Sequence, residues 1–382
     1  MAFALYIHWP FCLAKCPYCD FNSHVRDSVD IATWRDGLLA DMAWDAQRTK
    51  GRELGSIFFG GGTPSLMPPE LVECLIDAAA RHWRFAPDIE ITLEANPSSV
   101  EAARFASLAS VGVNRVSLGL QALDDSALAF LGRLHNAAEG LAALEVAQRH
   151  FARVSFDLIY ARPEQSAAQW AAELARALSF GTGHLSLYQL TIEPGTRFAT
   201  MVREKSFVPL DDDPAAELFE LTRAMTAAAG LPAYETSNHA RKGEESRHNL
   251  TYWRYGDYAG IGPGAHGRRH ATATVRHKKP ENWLRAIAEQ GNGIAEERNL
   301  TQREQAAEAV LMGLRLSEGI EPNALATRFG LTEDHLLDRG KRGFYGDLGF
   351  LEQSGERLCV TERGAPLLEA LLAELVPREL LA

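Results

Sequence analysis

Six short runs rich in Ile, Val, Leu, Phe and Tyr recur in the first half of the chain, with amphipathic helical stretches between them. That alternation constrains the fold more than any other feature. The runs are Leu5–Trp9, Ser56–Phe59, Ile89–Glu94, Arg115–Leu120, Val154–Tyr160 and His184–Leu190. Their composition is that of strands buried on both faces. Helical periodicity covers Thr33–Gln47, Pro69–Trp83, Ser99–Ser110 and Ala167–Ser179. Ser98, with Glu101 three residues later, gives the third of these a capping-box start. Repeated strand–helix units predict a parallel sheet. Six such units are two fewer than a closed eight-stranded barrel needs. The expected fold class is therefore α/β, a partial (βα)6 TIM-like barrel, with an open doubly wound sheet as the alternative.

Unusual chemistry collects at the C-terminal ends of these runs, the face that builds active sites in parallel α/β folds. Cys12, Cys16 and Cys19 follow the first run, and Gly60-Gly61-Gly62-Thr63-Pro64 follows the second. Glu94, Asn96 and Pro97 close the third, Gly119 and Gln121 the fourth, and Tyr188 and Gln189 the sixth; Asp157 lies in the fifth. Only five cysteines occur in 382 residues, and three sit within eight positions as C-x3-C-x2-C. A disulfide framework is excluded in favour of a metal site. Three thiolates can hold three irons of a four-iron cluster and leave one iron open. A structural zinc with His8 or His24 as fourth ligand is the alternative, and chance clustering is a third. A glycine run lets backbone approach a ligand without a Cβ in the way. It is not a nucleotide-binding P-loop, because no Gly-Lys-Ser/Thr follows. Taken alone, Glu94 and Asp157 would fit a structural ion pair.

Charge and targeting narrow the function classes. Thirty-nine basic against 50 acidic residues give a net charge of −11, which opposes broad binding to nucleic acid or anionic membrane. The N-terminal MAFALYIHWPFC lacks the basic flank of a secretory signal. No apolar run reaches the ~18 residues of a membrane span. The leucines from Leu367 to Leu375 are interrupted by Glu369 and Glu374 in a helical rhythm. Clustered free cysteines fit a reducing compartment. The expectation is a cytoplasmic protein that is not an integral membrane protein and binds no nucleic acid.

Three segments are expected: the partial barrel over 1–200, an extension over 201–299, and a C-terminal domain over 300–382. Asp211-Asp212-Asp213-Pro214 starts a helix running to Met225, and 234–270 is rich in Gly, Tyr and His. Helical patterns then cover Thr301–Leu316, Pro322–Phe329 and Glu333–Leu337. A hairpin at Gly349–Leu351 and Arg357–Thr361 precedes a last helix, Pro366–Val376. Helices with a small hairpin suggest a mostly helical, winged-helix-like domain. From Leu300 onward it carries 9 basic and 14 acidic residues, which argues against DNA reading. Shielding the barrel opening or docking a protein partner is the expected role.

The segments YIHWPFCLAKCPYCDF, FFGGGTPSL, ITLEANP, NRVSLGLQ, LGRLH, FDLIY, LSLYQLTIEPGT and YETSNHA together cover nearly the whole chain. On these the sequence resembles the radical SAM proteins, and more narrowly the oxygen-independent coproporphyrinogen III oxidases and their relatives. The resemblance implies that Cys12, Cys16 and Cys19 ligate a [4Fe-4S] cluster, whose open iron chelates S-adenosyl-L-methionine (SAM). It implies that Tyr6 and Tyr18 flank cluster and SAM, and that Gly61, Gly62 and Thr63 contact the methionine portion. Glu94, Gln121, Arg133 and Asp157 would hold the rest of SAM, and the backbone of Gln189 would lie near the adenine. A reductant protein such as flavodoxin or ferredoxin would supply electrons. Two features depart from the oxidases. Phe21 stands where they carry a fourth cysteine, and only five residues precede Tyr6. Oxidative decarboxylation of coproporphyrinogen III is therefore the lesser expectation, and a zinc-stabilised, non-catalytic scaffold a further alternative.

His248-Asn249-Leu250-Thr251-Tyr252-Trp253 forms an HNxxYW motif. It resembles that of the heme chaperones in this family, which bind heme as cargo and deliver it to apo-hemoproteins, respiratory enzymes among them. His248 is the candidate heme contact, since a neutral imidazole is a good axial ligand. The alternative is that His248 and Trp253 pack the extension onto the barrel. His239 and His266 are lesser candidates. The family's usual glycine-leucine after the aspartate strand is Ala161-Arg162 here, with Glu164 at another customary glycine. An altered rim loop near SAM is expected.

Overall fold

A computed structural model describes residues 3–26 and 28–381. All six expected strands form: β1 (Phe3–Trp9), β2 (Glu53–Gly61), β3 (Arg84–Ala95), β4 (Arg115–Gln121), β5 (Arg153–Tyr160) and β6 (His184–Gln189). They pair in parallel in that order, with Ile7 opposite Phe59 and Trp9 opposite Gly61. β1 is buried along its whole length except at Tyr6. Leu5 and Ile7 join one core with Leu38 and Met42 of the helix Ile31–Arg48 and with Leu71 and Leu75 of the helix Pro69–His82. Each such side chain contributes about 1.5–3 kcal/mol on burial.

Besides a short parallel pair, Phe11–Cys12 with His24–Val25, five further strands were not foreseen: β7 (Asn238–Ala240), β8 (Tyr258–Ile261), β9 (His266–Arg269), β10 (Thr272–Arg276) and β11 (Ile294–Asn299). They extend the same sheet on both flanks, in the order β11-β10-β9-β8-β1-β2-β3-β4-β5-β6-β7. β8 runs parallel to β1, while β9, β10 and β11 form an antiparallel meander and β7 pairs antiparallel with β6. These strands are short, and β11 is largely exposed. They therefore lack the apolar runs that mark the first six. Asn238 of β7 and Tyr258 and His266 beyond the opposite flank line one cavity. The sheet thus curls into a partial barrel.

One buried network fastens the meander to the barrel. Asp41 of the helix Ile31–Arg48 accepts from the amides of Gly262 (3.1 Å) and Gly293 (3.0 Å) and from Trp283 Nε1 (3.2 Å). Its other partner is Arg276 of β10, at 3.3 Å, which also pairs with Asp45. A buried carboxylate is tolerable when its acceptor positions are filled in this way.

The C-terminal region has its own core, in which Val310, Leu314, Phe329, Leu336 and Leu372 meet. Helices Gln302–Gly313 and Pro322–Phe329 form as expected, and β12 (Leu351–Ser354) pairs with β13 (Arg357–Val360) as the hairpin. An additional helix, Arg339–Asp347, has no counterpart among the expected elements. Gly340, Gly343 and Gly346 depress its intrinsic propensity, and it buries no side chain. The expected helix Ser99–Ser110 breaks into Ser99–Ala102 and Phe105–Ser110. Among the described residues no helix is long and apolar enough to cross a membrane.

Backbone contacts and strain concentrate in two loops at the strand ends. The amide of Gly62 donates to Trp9 O (2.7 Å) and that of Thr63 to Phe11 O (2.8 Å), so the glycine loop is stitched to the start of the cysteine loop. A Cβ on Gly62 would lie 2.7 Å from Phe11 O. In the turn after β5, Ala161 and Glu164 hold φ of 55° and 61°. Those left-handed values suit glycine and cost other residues about 1–2 kcal/mol. The turn is pinned by Arg162, whose guanidinium donates to Ile159 O at 2.8 Å and pairs with Glu173. Arg162 and Glu164 face a surface cavity away from the cysteines. The substitutions therefore reshape a rim loop and leave the lining of the cysteine site untouched.

Thermal unfolding of three variants checks these two loops. Gly62→Ala should cost about 1–3 kcal/mol by overpacking against a carbonyl that cannot rotate away, read as a lower midpoint. Glu164→Gly should stabilise by about 0.5–1 kcal/mol because the exposed side chain contributes nothing to offset the strain. Ala161→Gly should be close to neutral, since it also forfeits a buried methyl worth about 0.8 kcal/mol.

Candidate functional site

Parallel pairing brings the C-terminal ends of β1 to β5 to one level, and the loops above them enclose a cavity of about 140 Å³. Cys12, Cys16 and Cys19 stand on one wall, each half-buried. Gly61, Gly62 and Thr63 form the adjoining edge, Tyr18 lies beside the cysteines, and Glu94, Gln121, Arg133 and Asp157 complete the lining. Eleven of the fourteen residues singled out in the sequence thus meet in one place.

Arg133 organises this site. Its Nη2 donates to Asn96 Oδ1 (2.6 Å) and Gly119 O (2.9 Å). Its Nη1 reaches Cys16 Sγ and Tyr18 Oη, both at 3.4 Å. Its Nε is buried with no hydrogen-bond partner among the described residues. Asn96 also donates to Thr63 Oγ1 at 3.0 Å, and Thr63 donates to Cys12 Sγ at 3.5 Å. A continuous polar chain therefore links the arginine to two of the three thiols. Gln121 is held at φ 70°, just past a register shift between β4 and β5. Bulges of this kind re-aim a side chain, here into the cavity. A Cβ on Gly119 would lie 2.9 Å from Gln121 Nε2, so glycine keeps this cradle open.

Two carboxylates face the cavity in a setting hostile to charge. Burial, reinforced by the neighbouring Asp157, pushes Glu94 up to about 8, although its Oε2 accepts from the Gly61 amide at 3.2 Å. Burial likewise lifts Asp157 to about 6 against the hydrogen bonds it accepts from Ser186 and Ser117. Burial also raises the Cys12 and Cys19 thiols, so binding a metal there releases protons.

These observations fit the groups the sequence implied. A buried guanidinium with an unpaired Nε, a glycine cradle and two buried acids in no ion pair among the described residues suit a zwitterionic, positively charged ligand such as SAM beside a thiolate-bound cluster. The zinc alternative loses one of its two candidate fourth ligands. His8 is engaged at both ring nitrogens, by Tyr6 Oη at 3.0 Å and Asn22 O at 2.9 Å. Among the described residues no three His, Cys, Asp or Glu side chains converge on a single-ion site. Asn96 and Ser117 line the cavity without having been singled out as ligand contacts. Period-two alternation was the signal available: Glu94 and Asn96, or Ser117, Gly119 and Gln121, share one face.

A second cavity of about 1110 Å³ adjoins the first and shares Lys15, Phe21, Ser23, Gly61 and Glu94 with it. It runs down the barrel interior to the C-terminal domain, reaching Met312, Arg315 and Glu369. Tyr6 lies here and not in the cysteine cavity, and His248 lies here also. Gln189 lines neither; its side chain donates to Ala215 O at 2.7 Å.

His248 opens the helix Arg247–Trp253 inside the barrel and is 1% exposed. Its Nδ1 meets Ser56 Oγ at 3.0 Å and its Nε2 meets Tyr252 Oη. Its ring stacks on Phe58 at 4.9 Å, and its backbone amide donates to Glu90 at 3.3 Å. Burial holds it neutral, down to about 3. Here the motif acts as a plug fastened to β2 and β3. His239 is buried too, with Nδ1 against Thr226 Oγ1 at 2.9 Å.

Comparison with known proteins agrees with this geometry. Residues 6–176 match the radical SAM superfamily, and residues 300–367 match the HemN C-terminal domain. A bovine mitochondrial protein, radical S-adenosyl methionine domain-containing protein 1, is 40% identical, spanning 83% of this chain and 74% of its own. The heme chaperone HemW of Haemophilus influenzae is 37% identical, covering 97% of this chain and 96% of its own. That of Escherichia coli is 36% identical over 97% of each. Among solved structures, coproporphyrinogen III oxidase (HemN) from Escherichia coli, a radical SAM enzyme, shares the fold. It does so with a TM-score of 0.84 at 21% identity, over 97% of this chain and 89% of its own. The thiol-bearing strand ends, the HNxxYW plug and full-length similarity together assign this chain to the radical SAM superfamily, within the HemW family.

Proposed function

We propose that this protein is a heme chaperone: it carries a [4Fe-4S] cluster on Cys12, Cys16 and Cys19, holds SAM beside it, and binds heme for delivery to apo-hemoproteins. The observation that carries the reading is the larger cavity. It exceeds the ~300–1,000 Å³ usual for ligand sites, it abuts the cysteine site, and aromatic side chains wall it. Phe21 is 61% and Tyr188 42% exposed there, large apolar surfaces that a flat porphyrin can cover. The HemW relatives are named for heme, and their similarity spans the whole chain.

When bound, a cluster of this kind supplies a low-potential electron and an open iron that chelates SAM. The chain's own residues hold and orient. Thr63 and Arg133 donate to the Cys12 and Cys16 sulfurs and so fix where the two thiols stand. Arg133 Nε offers an unused donor to a carboxylate. Glu94 and Asp157 accept from ammonium or hydroxyl groups. Delivery to a recipient, a reductant protein and a cytoplasmic setting belong to the same reading. The acidic C-terminal domain, tied to the barrel by Tyr255 Oη to Glu308 at 2.7 Å, offers it a protein-docking element.

Adding ferric heme to cluster-loaded protein should give saturable one-to-one binding by absorbance. Binding without saturation would sink the chaperone reading, and anaerobic conversion of coproporphyrinogen III above control would favour the oxidase. Cys16→Ala should abolish the brown iron–sulfur absorption. A pH dependence follows from Glu94. Its pKa rises from an ordinary 4.5 to about 8 on folding. The protonated acid thus contributes stability that is complete below 4.5 and is lost as pH climbs to about 8. Glu94→Gln should therefore raise the unfolding midpoint of cluster-free, SAM-free protein at pH 8 more than at pH 5. It should also weaken SAM binding about tenfold or more, as loss of a charge-assisted contact does.

A further inference from the structure

The heme reading leaves open which side chain meets the iron. Four histidines line the larger cavity: His8, His24, His248 and His266. His8 and His248 use both ring nitrogens in hydrogen bonds within the fold. His24 Nε2 meets Asn22 Oδ1 at 3.3 Å. To ligate iron, His248 would have to break two buried hydrogen bonds and leave Ser56 and Tyr252 unpaired, a cost of about 1–3 kcal/mol for each group.

We propose that His266 is the protein's axial ligand to heme iron, with Lys15 and Lys278 receiving the porphyrin's carboxylates; this rests on the heme-chaperone reading. His266 begins β9 at the rim of the cavity, exposed, and among the described residues its ring makes no side-chain hydrogen bond. Partial desolvation by the cavity wall and the nearby Lys278 hold it below its ordinary value, which favours the neutral ring. Lys15 and Lys278 line the same cavity, both exposed, and neither has an ion-pair partner among the described residues. Free cations of this kind complement the two propionates of a heme.

Asn22 sets these groups beside one another. Its Nδ2 donates to Pro263 O and to Lys278 O, both at 2.9 Å. A Cβ on Gly264 would lie 2.5 Å from that nitrogen, so the turn before His266 can lie flush against the cysteine loop that carries Lys15 and Phe21. A single exposed ligand also suits cargo. Release is a ligand exchange: the imidazole–iron bond breaks as a donor from the recipient forms its own bond, with the iron's oxidation state unchanged. A histidine locked in the barrel, as His248 is, could not be approached in that way.

The test is a ferric heme titration of cluster-loaded wild-type and His266→Ala protein, followed by absorbance and electron paramagnetic resonance. His266 is on the surface, so the variant keeps its fold, which retention of the iron–sulfur absorption verifies. The expected result is loss of the imidazole-ligated signature and an affinity at least about tenfold weaker, with the signature restored by added imidazole. Lys15→Glu with Lys278→Glu should weaken binding of heme but not of its dimethyl ester. A wild-type spectrum in His266→Ala overturns the proposal while leaving the chaperone reading intact. Absence of saturable binding by the wild-type protein overturns both.

Discussion

Two backbone hydrogen bonds, from the amides of Gly62 and Thr63 to the carbonyls of Trp9 and Phe11, hold the site together. They join the end of β2 to the chain just before the first cysteine, and every other feature is placed relative to them. The fit is close enough that only glycine serves at 62, and Gly61 holds a φ of 115° that other residues rarely adopt. Parallel register does the rest. With Trp9 opposite Gly61, Glu94 opposite Ser117 and Asp157 opposite Ser186, the functional side chains fall on one level of the curled sheet. A slip of one residue would turn Glu94 and Asp157 towards the helices.

Most of this was readable from the sequence because it rests on local patterns. Buried parallel strands announce themselves as apolar runs, and the residues that interrupt apolar character at their ends are the ones that line the cysteine cavity. The strands of the extension gave no such signal. His266–Arg269 and Thr272–Arg276 are short, rich in arginine and glycine, and stabilised by partners far away in sequence, Asp41 and Asp45 above all. Nothing local identifies Arg276 as a core residue, yet it is fully buried. Tertiary pairing, not propensity, makes these strands.

His248 illustrates the second limit. A motif marks a family more securely than it marks a ligand. The chemistry of imidazole in HNxxYW suggested iron, whereas its surroundings place it between Ser56, Phe58 and Tyr252 as part of the barrel's filling. A free nitrogen is a property of the folded environment, so a single sequence does not show which histidine has one.

Strain and dissatisfaction are distributed unevenly over the molecule. The Asp41 network is saturated, with four donors converging on one carboxylate. Around the cysteines the opposite holds: Arg133 Nε has no partner among the described residues, Gln121 sits in a left-handed conformation, and Glu94 and Asp157 lie buried and, among the described residues, in no ion pair. Each of these would be costly in a purely structural core. Their coincidence in one small cavity suits a bound ligand, because one bearing a carboxylate, an amine and hydroxyls would pair the Arg133 donor and both acids at once. The turn at Ala161 and Glu164 is strained without lining that cavity. Local strain by itself therefore does not single out a site; what distinguishes the cysteine cavity is that its unmet demands are complementary to one ligand.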